Sequence, residues 1–330
     1  MPARKRAVRA QRARHLRAGV GPREKVKNDV TNTPWTGVGT AMVTPFTRTG
    51  DLDEAAVRRL GRRQIDAGIH FLVPCGTTGE NPTLTLAERL RIVEILADEA
   101  KGAVPILAGA GGYDTKEVVH LAGEMNKAGA DGLLSVTPYY NKPTPEGLFQ
   151  HYRAIAESTP LPIVLYNVPG RTGVNIDVKT LVRLAAIPNI VGVKEASGNM
   201  TQICEVCDAV PPGFVVLSGD DTLTLPLMAV GGRGIISVAS NEIPAEMVQM
   251  VEAAARNDFA AAREVHARIL PLMQINFVEA NPVPVKAAMA AMGLLEEVYR
   301  LPMVAPRPES KEKIVKVLKE LDLIGKPVHA

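Results

Sequence analysis

The sequence predicts an α/β protein, a (β/α)8 TIM barrel with a C-terminal helical appendage. Two observations carry this. Eight short apolar runs recur at spacings of roughly 20 to 34 residues, each followed by a polar or glycine-rich break and a stretch of helical periodicity. The chain of 330 residues also accommodates a barrel of about 250 residues plus a small addition.

The apolar runs, in order, are GVGTAMV (37–43), HFLVPC (70–75), AVPILAG (103–109), DGLLSV (131–136), LPIVLY (161–166), NIVGVK (189–194), FVVLSG (214–219) and GIISVA (234–239). Between them lie the predicted helices LDEAAVRRLGRRQIDAG, TLAERLRIVEILADEAKG, TKEVVHLAGEMNKAGA, TPEGLFQHYRAIAEST, DVKTLVRLAAI and MTQICEVCDAV. Several begin near Thr or Asp and end near Gly, the ordinary start and stop signals. From about residue 258 strand-like runs cease, and DFAAAREVHARILPLMQINFVEA, NPVPVKAAMAAMG and SKEKIVKVLKELDLIG read as helices. The predicted organisation is therefore a basic, disordered N-terminal extension (1–33), the barrel (34–257) and a C-terminal helical domain (258–330).

The formal charge of +3 conceals an asymmetry. Residues 1–30 carry ten Lys/Arg against Glu24 and Asp29, so this segment is strongly basic and the remainder is net acidic. The basic pI belongs to a tail and gives no reason to expect nucleic-acid binding by the folded part. The tail lacks the apolar segment of a secretory signal; it reads as a disordered extension or as an upstream start included in frame. Organelle targeting is the alternative, weakened by the absence of serine, and contact with nucleic acid or a membrane surface is another. No apolar run approaches the roughly 20 residues of a membrane-spanning helix. Cytoplasmic residence is the expectation.

Three cysteines, Cys75, Cys204 and Cys207, cannot all pair within one chain, which suits a reducing compartment. Cys204 and Cys207 form C-x-x-C, but no second pair of zinc ligands is evident, and the six histidines are scattered. No metal site is expected. GAGG at 109–112 follows a strand but lacks both dinucleotide and P-loop spacing, so no nucleotide site is expected either.

In every unit the polar residues follow the strand: TPF, GTTGE, GAGGYDT, TPYYN, YNVPGRTG, KEASGN, SGDD, SVASN. A barrel gathers these junctions at one mouth, where barrel enzymes keep their sites. Lys194 stands out there, at the carboxyl end of an apolar strand. Alternation places Ile190, Gly192 and Lys194 on one face and Val191 and Val193 on the other. Desolvation disfavours the charged form of an amine in a confined site, and a neutral amine can attack a ketone to form a Schiff base. The alternative is a lysine that snorkels to solvent or pairs with Asp220 or Asp221. Schiff-base chemistry needs proton shuttling, for which Tyr166, Thr77, Thr78, Tyr139 and Tyr140 are the available hydroxyls. Arg171, in the loop after the fifth strand, suits bidentate capture of a carboxylate, with a surface salt bridge as its alternative. Lys286, in NPVPVK, is a further amine but lies outside the eight strands.

GTTGE, TPYYNKPTPEGLFQHY, YNVPGRTG, VGVKEASGN, LSGDD and GIISVASN, in this order, make residues 35 to 325 resemble the dihydrodipicolinate synthase family, within the N-acetylneuraminate lyase and class I pyruvate aldolase superfamily. The resemblance implies a lyase of lysine and diaminopimelate biosynthesis that joins pyruvate to aspartate 4-semialdehyde without an external cofactor. It implies that Lys194 forms the Schiff base, Tyr166 moves protons, and Thr77 links Tyr166 to Tyr140 of a neighbouring subunit, making the protein a homo-oligomer, dimer or tetramer. Thr78 and the backbone of Ile236 would bind pyruvate, and Arg171 the carboxylate of the second substrate. An effector site would involve Tyr139 and Glu117. Arg89 and Tyr113 stand where lysine-inhibited members have a histidine and an asparagine, so weak or absent inhibition by lysine is expected. Two rival readings are a sugar-acid aldolase on the same fold, which GRTG argues against, and a barrel without catalysis, which the convergence of Lys, Tyr, Thr and Arg at strand ends argues against.

Overall fold

A computed structural model describes residues 34–325. The basic extension, expected over residues 1–33, lies outside these residues. Eight parallel strands run β1 (Gly37–Ala41), β2 (Phe71–Val73), β3 (Leu107–Gly109), β4 (Gly132–Val136), β5 (Ile163–Asn167), β6 (Ile190–Glu195), β7 (Val215–Ser218) and β8 (Gly234–Ser237). They are hydrogen-bonded in the order β2-β1-β8-β7-β6-β5-β4-β3. A parallel bridge from Leu72 to Ile106 joins the two ends, giving the predicted (β/α)8 barrel.

The helices are α1 (Glu54–Asp66), α2 (Leu86–Ala100), α3 (Thr115–Ala128), α4 (Pro145–Ser158), α5 (Pro169–Thr172), α6 (Val178–Ala185), α7 (Met200–Ala209), α8 (Thr224–Ala229), α9 (Pro244–Ala255), α10 (Phe259–Ile275), α11 (Val283–Ala291) and α12 (Pro308–Glu320). Caps fix where many begin: the side chains of Asp53, Asp114, Thr144, Asp177, Asn199 and Asp258 each accept a backbone N–H of the first turn. Each such cap is worth about 0.5–2 kcal/mol. The helices α5, α8 and α9 have no counterpart in the sequence reading; the first two are only one or two turns long, too short for periodicity to register. Cys204 and Cys207 sit one turn apart on α7, both free. Among the described residues no helix is long and apolar enough to cross a membrane.

Two apolar clusters result. The larger lies between strands and helices, and the smaller fills the barrel axis with Phe71, Leu107, Leu134, Val164, Val215, Leu217 and Ile236. Trp35, just before β1, packs edge-on against Phe71 with ring centroids 5.6 Å apart. A Cβ at Gly39 would come within 2.1 Å of the Phe71 ring, so this glycine makes room for the plug. The amino ends of the strands are thereby filled, and open space is left to their carboxyl ends.

The helices after residue 257 belong to the same compact unit as the barrel. Arg300 is one tie between them. It donates to Gly50 O, Thr83 O and both carboxylate oxygens of Glu88, while Glu88 also completes a capping box with Thr85 at the start of α2. The Arg300 hydrogen bond, reinforced by those from Thr85 and only partly opposed by desolvation, holds the Glu88 carboxyl at about 2, below its ordinary 4.5. A depressed carboxyl stabilises the fold above its unfolded value, and that contribution fades as pH falls from 4.5 towards about 2. Glu88→Gln is therefore expected to lower stability at pH 7 by up to about 3 kcal/mol. Denaturant unfolding should show the gap to the parent shrinking by pH 3; an equal gap at both pH values would contradict this origin.

Candidate active site

Lys194 stands on β6, where it is only 5 % exposed. Its strand neighbours in register are Tyr166 on β5 and Leu217 on β7, both members of the axial cluster. The face expected for Gly192 and Lys194 is the one observed, but Ile190 departs from it. The register shifts between Ile163 and Val164, so that Ile163 pairs with Ile190 and Val164 with Gly192. This irregularity breaks strict alternation: Ile190 joins Val193 in the outer cluster, and Val191 packs on the axial one. Irregularities of this kind re-aim side chains near sites.

Two glycines are required here, Gly192 for the close approach of β7 and Gly219 for the lysine stem. A Cβ on Gly192 would approach the Val215 carbonyl oxygen to 2.7 Å, and one on Gly219 would meet the Lys194 Cε at 3.0 Å. The Nζ lies 4.4 Å from the centre of the Tyr166 ring. No carboxylate among the described residues is in ion-pair range of it. Glu195 faces the other way, where Asn167 and Ser197 N donate to it. Asp220 accepts from Thr222, and the buried Asp221 accepts from Ser237 Oγ and the backbone of Val238 and Ala239. The two carboxylates considered as structural partners of Lys194 are thus engaged elsewhere.

A cavity of about 130 Å³ opens above the lysine, lined by Thr77, Thr78, Tyr166, Arg171 and Lys194 among its polar groups. Ala41, Val73, Leu134, Val168 and Val238 give it apolar walls. It adjoins a second space of about 220 Å³ that shares Thr77, Tyr166 and Arg171 and adds Tyr139. An amine, a phenol, two threonine hydroxyls and a guanidinium from three βα junctions, those after β2, β5 and β6, therefore meet, which packing does not require. The loop carrying Thr77 and Thr78 enters and leaves through residues with positive φ, Cys75 at 59° and Glu80 at 54°.

Three further expectations concern Tyr140, Ile236 and the link from Thr77 to Tyr166. Tyr140 is 93 % exposed, in a loop residue of positive φ, and lines neither space. Ile236 points its side chain into the axial cluster, and Val238, two residues later, reaches the cavity wall. Thr77 and Tyr166 share the cavity without a hydrogen bond between them. The four candidate effector residues, Arg89, Tyr113, Glu117 and Tyr139, converge on a third cavity of about 890 Å³ that borders the second space at Tyr139. There Tyr113 and Tyr139 meet edge to face, while Arg89 spends its guanidinium on the carbonyls of Leu84 and Asn81.

Sequence reasoning missed Asn281. It lines the Lys194 cavity, donates to Thr78 Oγ1 at 3.0 Å and accepts from Arg171 at 3.3 Å through its carbonyl. The only available signal was a polar residue before NPVPVK's prolines, in a region with no strand to place it. Lys286, the other amine considered, is fully buried on α11 and lines none of these spaces. No group of three potential metal ligands occurs among the described residues.

Comparison with known proteins adds an independent line. Residues 34–321 match the model of the dihydrodipicolinate synthetase family. A 4-hydroxy-tetrahydrodipicolinate synthase of Koribacter versatilis (strain Ellin345) is 54% identical over 289 residues, covering 87% of this chain and 96% of the relative. The crystal structure of dihydrodipicolinate synthase from Thermotoga maritima, 44% identical, superposes with a TM-score of 0.87 over 88% of this chain and 100% of that one. A relative from Cyanidioschyzon merolae, solved with lysine bound, is 38% identical with a TM-score of 0.86, covering 89% of this chain and 100% of that one.

Proposed function

The chain belongs to the dihydrodipicolinate synthetase family, and from that premise we propose that Lys194 captures pyruvate as a Schiff base on the floor of the barrel-mouth cavity. The protein is a Schiff-base-forming class I lyase that condenses pyruvate with L-aspartate 4-semialdehyde to 4-hydroxy-tetrahydrodipicolinate, in lysine and diaminopimelate biosynthesis. The observation that supports the residue assignment best is the Lys194 amine, buried, without a carboxylate partner and 4.4 Å from the Tyr166 ring.

In this reading the Lys194 nitrogen attacks the keto carbon, and loss of water gives the imine. The imine nitrogen withdraws electrons as a methyl proton leaves, forming the enamine. The enamine carbon attacks the aldehyde carbon of the second substrate, whose oxygen takes up a proton. The substrate amine then adds to the imine carbon, closes the ring and releases Lys194. Tyr166 carries the protons, with Thr77 linking it to Tyr140 of the partner subunit. Thr78 and the backbone of Ile236 hold the pyruvate carboxylate. The covalent adduct is itself the electron sink, so the chemistry calls for no external cofactor.

An exposed Tyr140 that lines neither space at the barrel mouth fits a relay completed by a second copy, hence a homo-oligomer, dimer or tetramer. The proposal includes small-molecule substrates only, with no nucleic-acid or membrane partner, and action in the cytoplasm. It also includes weak or absent inhibition by lysine, because Arg89 is committed to backbone carbonyls and Tyr113 to Tyr139.

Arg171 separates the two substrates. The residue is exposed at the rim, and among the described residues its guanidinium is bound only to Asn281 O. Losing a charge-assisted contact of about 1.5–3 kcal/mol corresponds to roughly a tenfold to hundredfold loss. Arg171→Leu is expected to raise the KM for aspartate 4-semialdehyde by that factor while leaving borohydride trapping of pyruvate unchanged. An equal loss in both, in an assay run with and without added lysine, would remove Arg171 from this role.

A further inference from the structure

Lys286 and Glu80 form an ion pair at 2.5 Å with side chains essentially inaccessible to solvent, and the reaction sequence above uses neither. Glu80 closes the GTTGE loop that carries Thr77 and Thr78. Its other oxygen accepts the backbone N–H of Arg300 at 3.3 Å. The Lys286 Nζ lies over two aromatic rings, 4.4 Å from the Phe46 ring centre and 5.3 Å from that of Tyr299. Burial pushes the Lys286 ammonium below its ordinary pKa, and the charge of Glu80 opposes that push.

A buried ion pair is a poor device for stability alone, because apolar groups of the same volume do as well. What it supplies is direction. The loop needs direction at this end, since Glu80 adopts a positive φ of 54°, a conformation that non-glycine residues hold only when their surroundings enforce it. The other end is fixed through the barrel: Gly109 N donates to Pro74 O, and the Cys75 carbonyl packs where a Gly109 Cβ would be, at 2.0 Å. Five residues before Lys286, Asn281 donates to Thr78 Oγ1. With an acceptor position of that oxygen occupied, the Thr78 hydroxyl proton is directed elsewhere, as a group that donates to a carboxylate requires.

We propose that Lys286 is a positioning residue for the keto-acid site: paired with Glu80, it clamps the loop of Thr77 and Thr78 and sets the segment from which Asn281 orients the Thr78 hydroxyl. The inference rests on the assignment of Thr78 to the pyruvate carboxylate. It makes the C-terminal helices part of the binding apparatus, and it predicts that their grip on the loop is read out in pyruvate affinity.

The test compares the full-length protein with the double variant Glu80→Gln/Lys286→Met, which replaces the charges by groups of similar volume. Thermal unfolding is measured for each, and borohydride trapping of pyruvate is titrated well below both midpoints. The half-saturating pyruvate concentration is expected to rise at least about tenfold, the equivalent of ~1.4 kcal/mol, in a protein that still unfolds cooperatively. A lowered midpoint with an unchanged half-saturation means a purely structural pair and overturns the proposal. If the double variant does not fold, Glu80→Gln alone is read the same way, and an unchanged half-saturation again overturns it. Lys311→Met, which breaks the exposed Lys311–Glu297 pair elsewhere in the C-terminal region, should leave trapping unchanged. Failure of the parent protein to trap pyruvate at all would sink the site assignment itself, a distinct outcome.

Discussion

Lys194→Met is expected to lower kcat by on the order of 10⁴-fold or more, the scale seen when a covalent nucleophile is removed, without loss of the fold. The methionine stem occupies nearly the volume of the lysine stem, which runs between Gly219 and the Tyr166 ring. No ion pair is broken, because no carboxylate among the described residues is in range. Removing a buried amine that lacks a countercharge should leave the unfolding midpoint unchanged or raised, since stabilisation at the expense of activity is the usual result at such a site. A structural lysine would behave in the opposite way, with stability falling and activity following it. Turnover and thermal unfolding, measured on the same preparation, separate the two.

Tyr166→Phe should have the second largest effect. The substitution removes one oxygen and leaves the ring against which the Lys194 Nζ lies. No protein group among the described residues hydrogen-bonds that phenol, so the fold has nothing to lose. A positioned proton-transfer group contributes about 10² to 10⁴ in rate. The expected result is a kcat lowered within that range, with the pyruvate adduct still formed but more slowly in single-turnover trapping. A turnover within a few-fold of the parent would assign the proton transfers to another group.

The fold was legible because each strand is written as a continuous apolar run, the signature of a sheet buried on both faces. Lys194 was legible for the converse reason, a cation where burial ought to exclude one. The expected alternation along β6 failed at Ile190 and Val191, because it assumes an unbroken ladder and the register shift beside Ile163 breaks it. The place of Asn281 in the site and the tie of Lys286 to Glu80 were invisible. Their partners Thr78 and Glu80 lie 203 and 206 residues away, and no local pattern encodes a contact of that kind. Tyr140 marks a different limit: it lines neither space at the barrel mouth, so its proposed part depends on a second copy.

The most direct measurement is peptide mapping of the protein after borohydride reduction in the presence of pyruvate. The account predicts a single reduced adduct on Lys194, formed in the parent and absent from Lys194→Met. An adduct on Lys286, or none on Lys194 in protein that turns over both substrates, would contradict it.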